Sequence, residues 1–93
     1  MIKIQLSGNY DSMYRELVGE DKELRNILAE KVKWFRRNPE DTRLDNHPLR
    51  KSLKGKWAFS INDDIRIVYE WLDKTFARFL SIGRHVRVYH DLS

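Results

Sequence analysis

The chain has 93 residues, no cysteine, 18 Lys+Arg against 14 Asp+Glu, and a net charge of +4. That length points to a single domain over residues 1–93 with one modest core. The lack of cysteine excludes a disulfide framework and a thiolate metal site. No apolar run approaches the roughly 20 residues that span a bilayer, and the N-terminus lacks the pattern of a signal peptide. A soluble, cytoplasmic protein with no membrane association is expected. The charge is uneven: residues 1–30 carry four basic and six acidic groups, the rest fourteen and eight. A basic half on a small domain suggests a polyanionic partner.

Ile2, Ile4 and Leu6 alternate with Lys3, Gln5 and Ser7, which predicts a half-buried strand. Ser7-Gly8-Asn9 breaks it. Tyr10, Met13, Tyr14, Leu17 and Val18 recur at helical spacing, and Gly19 ends that short helix. Asp21 is a candidate N-cap for a second helix, with Glu23 in its first turn. Leu24, Ile27, Leu28, Val32, Trp34 and Phe35 form its apolar face, with Lys31 snorkelling from the edge. Arg36 and Arg37 suit the last turn, and Asn38-Pro39 stops the helix.

Residues 40–56 show no period and read as a long connection holding Pro48 and Gly55. Such a run in a compact domain is often functional. Three strands follow. Trp57, Phe59 and Ile61 alternate, then Asn62-Asp63-Asp64 turns. Ile65, Ile67, Tyr69 and Trp71 alternate with Arg66, Val68 and Glu70, and Asp73-Lys74 turns again. Phe76 to Ile82 is the last long strand, closed by Gly83; Val86 and Val88 add a possible final piece. The order is β-α-α-loop-β-β-β, with the consecutive C-terminal strands antiparallel. Two helices covering one face of a small sheet make an α+β layer architecture.

The period puts Ile65, Ile67, Tyr69 and Trp71 under the helices and Arg66, Val68 and Glu70 on the open face. A guanidinium on a rigid strand suits bidentate contact with phosphate. The alternative is a cross-strand salt bridge with Glu70 or a neighbouring acid. His85 follows a strand and a glycine, and imidazoles exchange protons near neutral pH. His47, in the loop before Pro48, could reach the same face. His90 is close to the C-terminus. Three scattered histidines without a ligand spacing make a poor metal site, and no metal is expected. Arg50, Lys51, Lys54 and Lys56 form a basic run that can track a nucleic-acid backbone. Trp57 and Tyr89 could stack on bases if exposed. No glycine-rich phosphate loop or serine nucleophile elbow is present.

The segment HPLRKSLKGKWAFSINDDIRIVYEW, followed by FLSIGRHVRVY, resembles the RelE/ParE superfamily of type II toxin-antitoxin toxins, in particular its RelE and YafQ-like branch. The shared features are a histidine-x-leucine loop, LKG before an aromatic strand, the D-x-R-I-V-Y strand and I-G-x-H ending near V-Y. They span residues 47 to 89, and the element order agrees. The resemblance implies a ribosome-dependent mRNA endoribonuclease, needing neither cofactor nor metal. In that chemistry the substrate's 2′-hydroxyl attacks the adjacent phosphate, leaving a 2′,3′-cyclic phosphate and a 5′-hydroxyl. By position, Arg66 matches the phosphate-binding strand arginine and His85 the acid or base after I-G-x. His47 matches the loop histidine, and Tyr89 a C-terminal aromatic that orients the nucleotide. Arg50, Lys51, Lys54, Lys56, Arg84 and Arg87 are the RNA-binding candidates. Two departures stand out. Val86 and Arg87 replace acids common in relatives, and Trp57, Phe59 and Ser60 stand where some relatives carry cations or a histidine. The implied partners are a cognate antitoxin, the ribosome and mRNA, with operator DNA bound only through the antitoxin. Competing functions are a ParE-like toxin that inhibits DNA gyrase without cleaving nucleic acid, and a catalytically degenerate RNA-binding protein.

Overall fold

The structure, a computed structural model, describes residues 1–85. Its elements are β1 (Lys3–Leu6), α1 (Gly8–Val18), α2 (Lys22–Arg37), β2 (His47–Pro48), β3 (Trp57–Ser60), β4 (Ile65–Asp73) and β5 (Phe76–Arg84), with short 3-10 turns at Thr42–Leu44 and Lys51–Leu53. They form the expected α+β architecture, two helices on a five-stranded sheet in the order β1-β5-β4-β3-β2. The three C-terminal strands are antiparallel, as their short turns require. β1 pairs with β5 in parallel, which makes the sheet mixed. The long aperiodic connection, expected to hold a short turn of structure at most, contributes the two 3-10 turns and also β2, a two-residue strand against β3.

Local chemistry explains the boundaries. Asp21 caps α2, its carboxylate accepting from the Leu24 amide at 3.0 Å. Ser7 caps α1, accepting from the Tyr10 amide at 3.0 Å. The same Ser7 hydroxyl donates to the carbonyl of Leu80 at 3.1 Å, and Asn9 donates to it at 2.9 Å. The register skips Leu80 between the Tyr69–Phe79 and Val68–Ser81 pairs. A bulge leaves backbone groups without ladder partners, so the Ser7-Gly8-Asn9 break doubles as the cap of the β5 bulge. In the β3–β4 turn, Asn62 Oδ1 accepts from the amides of Asp64 at 2.9 Å and Ile65 at 2.8 Å.

The core lies between the helices and the sheet. Phe35 of α2 has no exposed surface and stands among Phe59 (4.6 Å between ring centroids), Tyr69 (4.9 Å), Phe79 (5.7 Å) and Trp71 (5.9 Å). This cluster gathers α2, β3, β4 and β5 around one side chain. Tyr69 was expected in the core and is there; Trp71 is partly buried and packs against it. Trp57 packs there in the same way. Lys31 lies over the Trp34 ring at 3.7 Å, and Arg43 also stacks on Trp34 at 3.6 Å. Among the described residues, no helix is long and apolar enough to cross a membrane.

Candidate active site

The sheet register assembles the site. Arg66 on β4 lies opposite Ser60 on β3 and Gly83 on β5. One row along, His47, Ala58, Val68 and Ser81 face each other across β2, β3, β4 and β5. Paired residues share a face, so His47 and Arg66 project from the same side of the sheet, away from the helices. Two strand spacings and two residues separate them, roughly 12 Å between Cα atoms. His85 continues from β5 on the other side of Arg66, its backbone amide donating to the Asp64 carbonyl at 2.8 Å. The guanidinium-bearing strand therefore runs between the two histidines.

The expected open face is not open throughout. Val68, read as facing solvent, has no exposed surface, and neither have Ala58 and Ser81 beside it. The alternation put Val68 on the right face, but the middle row of that face is covered. The Ser81 hydroxyl has no hydrogen-bond partner among the described residues. Arg66 and His47 lie at the margins of this closed patch and remain partly exposed.

Arg66 does not pair with Glu70. Glu70 instead approaches Arg78, its cross-strand neighbour, at 3.7 Å. Arg66 Nη1 donates to the Asn62 carbonyl at 2.6 Å and the Ile65 carbonyl at 3.2 Å. Carbonyls orient a guanidinium without neutralising it, so its charge stays available to an anion.

His47 Nδ1 lies 2.7 Å from the Asp45 carbonyl. A carbonyl only accepts, so in the neutral ring Nδ1 carries the hydrogen and Nε2 the lone pair. That is the tautomer a general base needs. Asp45 itself adopts the left-handed conformation (φ 48°).

The cationic candidates divide. Arg50, Lys51 and Lys54 are exposed on the β2–β3 connection, at the end of β3 away from Arg66. Lys51 is held at φ 57° and Gly55 at φ 93°, a conformation uncommon for a residue with a side chain. Lys56, just before β3, is partly buried and shares the parity of Ala58 and Ser60. Arg84 is different. It forms an ion pair with Asp64 and lies opposite Ile65, on the face away from Arg66. Tyr89 and Arg87, with Val86, Val88 and His90, lie outside the described residues.

Sequence reasoning missed Asn46. It accepts from the buried Tyr69 hydroxyl at 2.8 Å and donates to the Pro39 carbonyl at 3.0 Å. Its polarity in an aperiodic loop gave no sign of that contact.

Comparison with solved structures identifies the fold. YafQ from E. coli strain BL21(DE3) superposes with a TM-score of 0.78 at 22% identity, over 96% of this chain and 99% of that one. A YoeB/ParE toxin from Agrobacterium tumefaciens gives 0.74 at 16% identity, over 90% and 99%. The YoeB–YefM toxin–antitoxin heterotetramer from Staphylococcus aureus gives 0.72 at 23% identity, over 91% and 98%. The chain thus has the fold of the RelE/ParE-type toxins, as residues 47 to 89 suggested. No family model matches the sequence, and no curated protein matches it.

Proposed function

We propose that the chain is the toxin of a type II toxin-antitoxin system and acts as a ribosome-dependent mRNA endoribonuclease. One observation carries this reading: Arg66, paired with no carboxylate among the described residues, shares with His47 the face of the sheet that the helices leave uncovered, and His85 follows the end of β5 on the other side of Arg66. Cleavage by an internal 2′-hydroxyl needs a base on one side of the phosphate, an acid on the other and a cation between them. His47 Nε2 takes the 2′-hydroxyl proton as that oxygen bonds to phosphorus. Arg66 holds the phosphate oxygens as negative charge builds on them. His85, as imidazolium, protonates the departing 5′-oxygen as its bond to phosphorus breaks. The products are a 2′,3′-cyclic phosphate and a 5′-hydroxyl, with no water consumed and no metal required. Arg50, Lys51, Lys54 and Lys56 extend the cationic track beyond His47, so the RNA backbone is gripped on that side of the cut. Tyr89 and Arg87 belong to the same proposal as nucleotide-orienting and RNA-binding groups.

The partner is an antitoxin. A cleft of about 730 Å³ lies beside β1 on the helix side of the sheet. Its floor includes Ile4, Leu6 and Val32, and its rim carries Lys3, Arg25 and Arg36. Leu6 is 53% exposed, and β1 is the outer strand of the sheet. Asp11, the acid of this lining, already pairs with Arg15 at 2.6 Å. An acidic, partly apolar segment that adds to the strand edge matches both the charge and the apolar floor.

Expression of the protein should arrest growth and cut translated mRNA, while His85→Ala should fold and not cut. Intact transcripts with well-folded protein, together with inhibition of gyrase supercoiling, would replace this reading with the gyrase one.

A further inference from the structure

Tyr69 has no exposed surface and sits with its ring among Phe35 (4.9 Å), Phe59 (5.9 Å) and Phe79 (6.3 Å). For packing, a fourth phenylalanine would serve as well. The hydroxyl is what distinguishes this position, and a buried phenol needs a partner. Burial also pushes its pKa well above the ordinary 10.0, so it remains a donor. Its acceptor is Asn46 Oδ1 at 2.8 Å. The amide nitrogen of Asn46 donates to the Pro39 carbonyl at 3.0 Å. Both ends of the amide are therefore engaged, and the Pro39 carbonyl, which only accepts, fixes which end is which.

The strut reaches the site through one peptide group. The carbonyl that holds the His47 ring belongs to Asp45, and that peptide's nitrogen belongs to Asn46. Any rotation of Asn46 swings the oxygen on which the imidazole depends. Asp45, in the left-handed region at φ 48°, sets the other side of the same peptide.

We propose that Tyr69 is a positioning residue: its buried hydroxyl, acting through Asn46, holds the Asp45–Asn46 peptide so that His47 keeps its hydrogen on Nδ1 and its lone pair on Nε2. The role of that lone pair rests on the endoribonuclease reading above; the positioning of the ring does not.

The test pairs a spectroscopic readout with a kinetic one. Long-range proton–nitrogen spectra of the full chain report the tautomer of His47, assigned by its absence in His47→Ala. Wild type should show hydrogen on Nδ1. Tyr69→Phe, which keeps the ring, should give a mixture of tautomers. The rate of cutting of a translated mRNA should fall by about tenfold to a hundredfold, the usual cost of a small misplacement of a catalytic group. Asn46→Ala, in the loop, should reproduce both effects and serves if Tyr69→Phe does not fold. Hydrogen on Nε2 in wild type, or an unchanged tautomer in a folded variant, would overturn the proposal, as would a slower rate with the tautomer intact. If wild type cuts no RNA, the functional reading fails while the spectra still decide the strut.

Discussion

Replacing Arg66 with glutamine separates a functional cation from a structural one. In the fold, Arg66 contributes two bonds from Nη1, to the Asn62 and Ile65 carbonyls. A net hydrogen bond is worth about 0.5–1.5 kcal/mol, and these are partly solvated, so the two together should cost on the order of 1 kcal/mol. For a domain of this size that lowers the melting temperature by roughly 4–8 °C. The site loses far more. Removing a preorganised group that stabilises transition-state charge typically costs about a hundredfold to a thousandfold in rate. The assay is primer extension on a translated mRNA beside a thermal melt of the same preparation. Arg78→Gln is the control, because Arg78 already faces Glu70 at 3.7 Å; it should cut at near wild-type rate. Arg66→Gln cutting within about threefold of wild type would refute the reasoning, since catalysis would then not use the electrostatic term assigned to this residue.

Phe35→Ala should cost about 3–5 kcal/mol, because the ring has no exposed surface and touches four other aromatic rings; urea denaturation checks this, and a loss under about 1 kcal/mol contradicts the core described. Arg43, bonded to both oxygens of Asp41, holds that carboxyl down from 3.8 to about 2. A depressed carboxylate stabilises the fold above its unfolded pKa and loses that contribution as pH falls through its folded one. The Asp41 contribution should therefore fade between about pH 4 and pH 2, and a carbon-13 titration midpoint near the ordinary 3.8 would contradict the pairing. Lys54→Gln should weaken RNA binding without moving the cut site and should flatten the salt dependence by about one unit of slope. Leu6→Glu should abolish association with the antitoxin expressed from the adjacent reading frame while leaving the cutting activity in place.

The sheet was legible where one strand's own alternation decides its faces. Residues 57–71 carry a two-residue period, and the structure keeps it through the β3–β4 hairpin. Arg66 stood out because it is a guanidinium within a largely apolar strand, and the period put it on the face away from the helices. Two things do not show in such periodicity. Pairing between distant segments is one: nothing in Lys3–Leu6 specifies Phe76–Phe79 as its parallel partner. Cover on the second face is the other. Val68 was apolar in a row read as open, and that was the available hint of its burial. β2 is two residues long, too short for any period. His47 was nominated by its residue type and by resemblance, while its tautomer came from the Asp45 carbonyl, a contact two residues away that only folded coordinates reveal. The Arg84–Asp64 pair likewise required knowing that Ile65 and Arg84 are neighbours.

The most direct test of the central claim is the chemistry of the ends left on an mRNA after incubation with the protein in a translating extract. Internal attack by the 2′-hydroxyl, with His47 and His85 on either side of Arg66, predicts 2′,3′-cyclic phosphate and 5′-hydroxyl ends. They should appear only while ribosomes translate and disappear in His47→Ala and His85→Ala. Transcripts that stay intact, or fragments ending in 3′-hydroxyl and 5′-phosphate from attack by water, would contradict it.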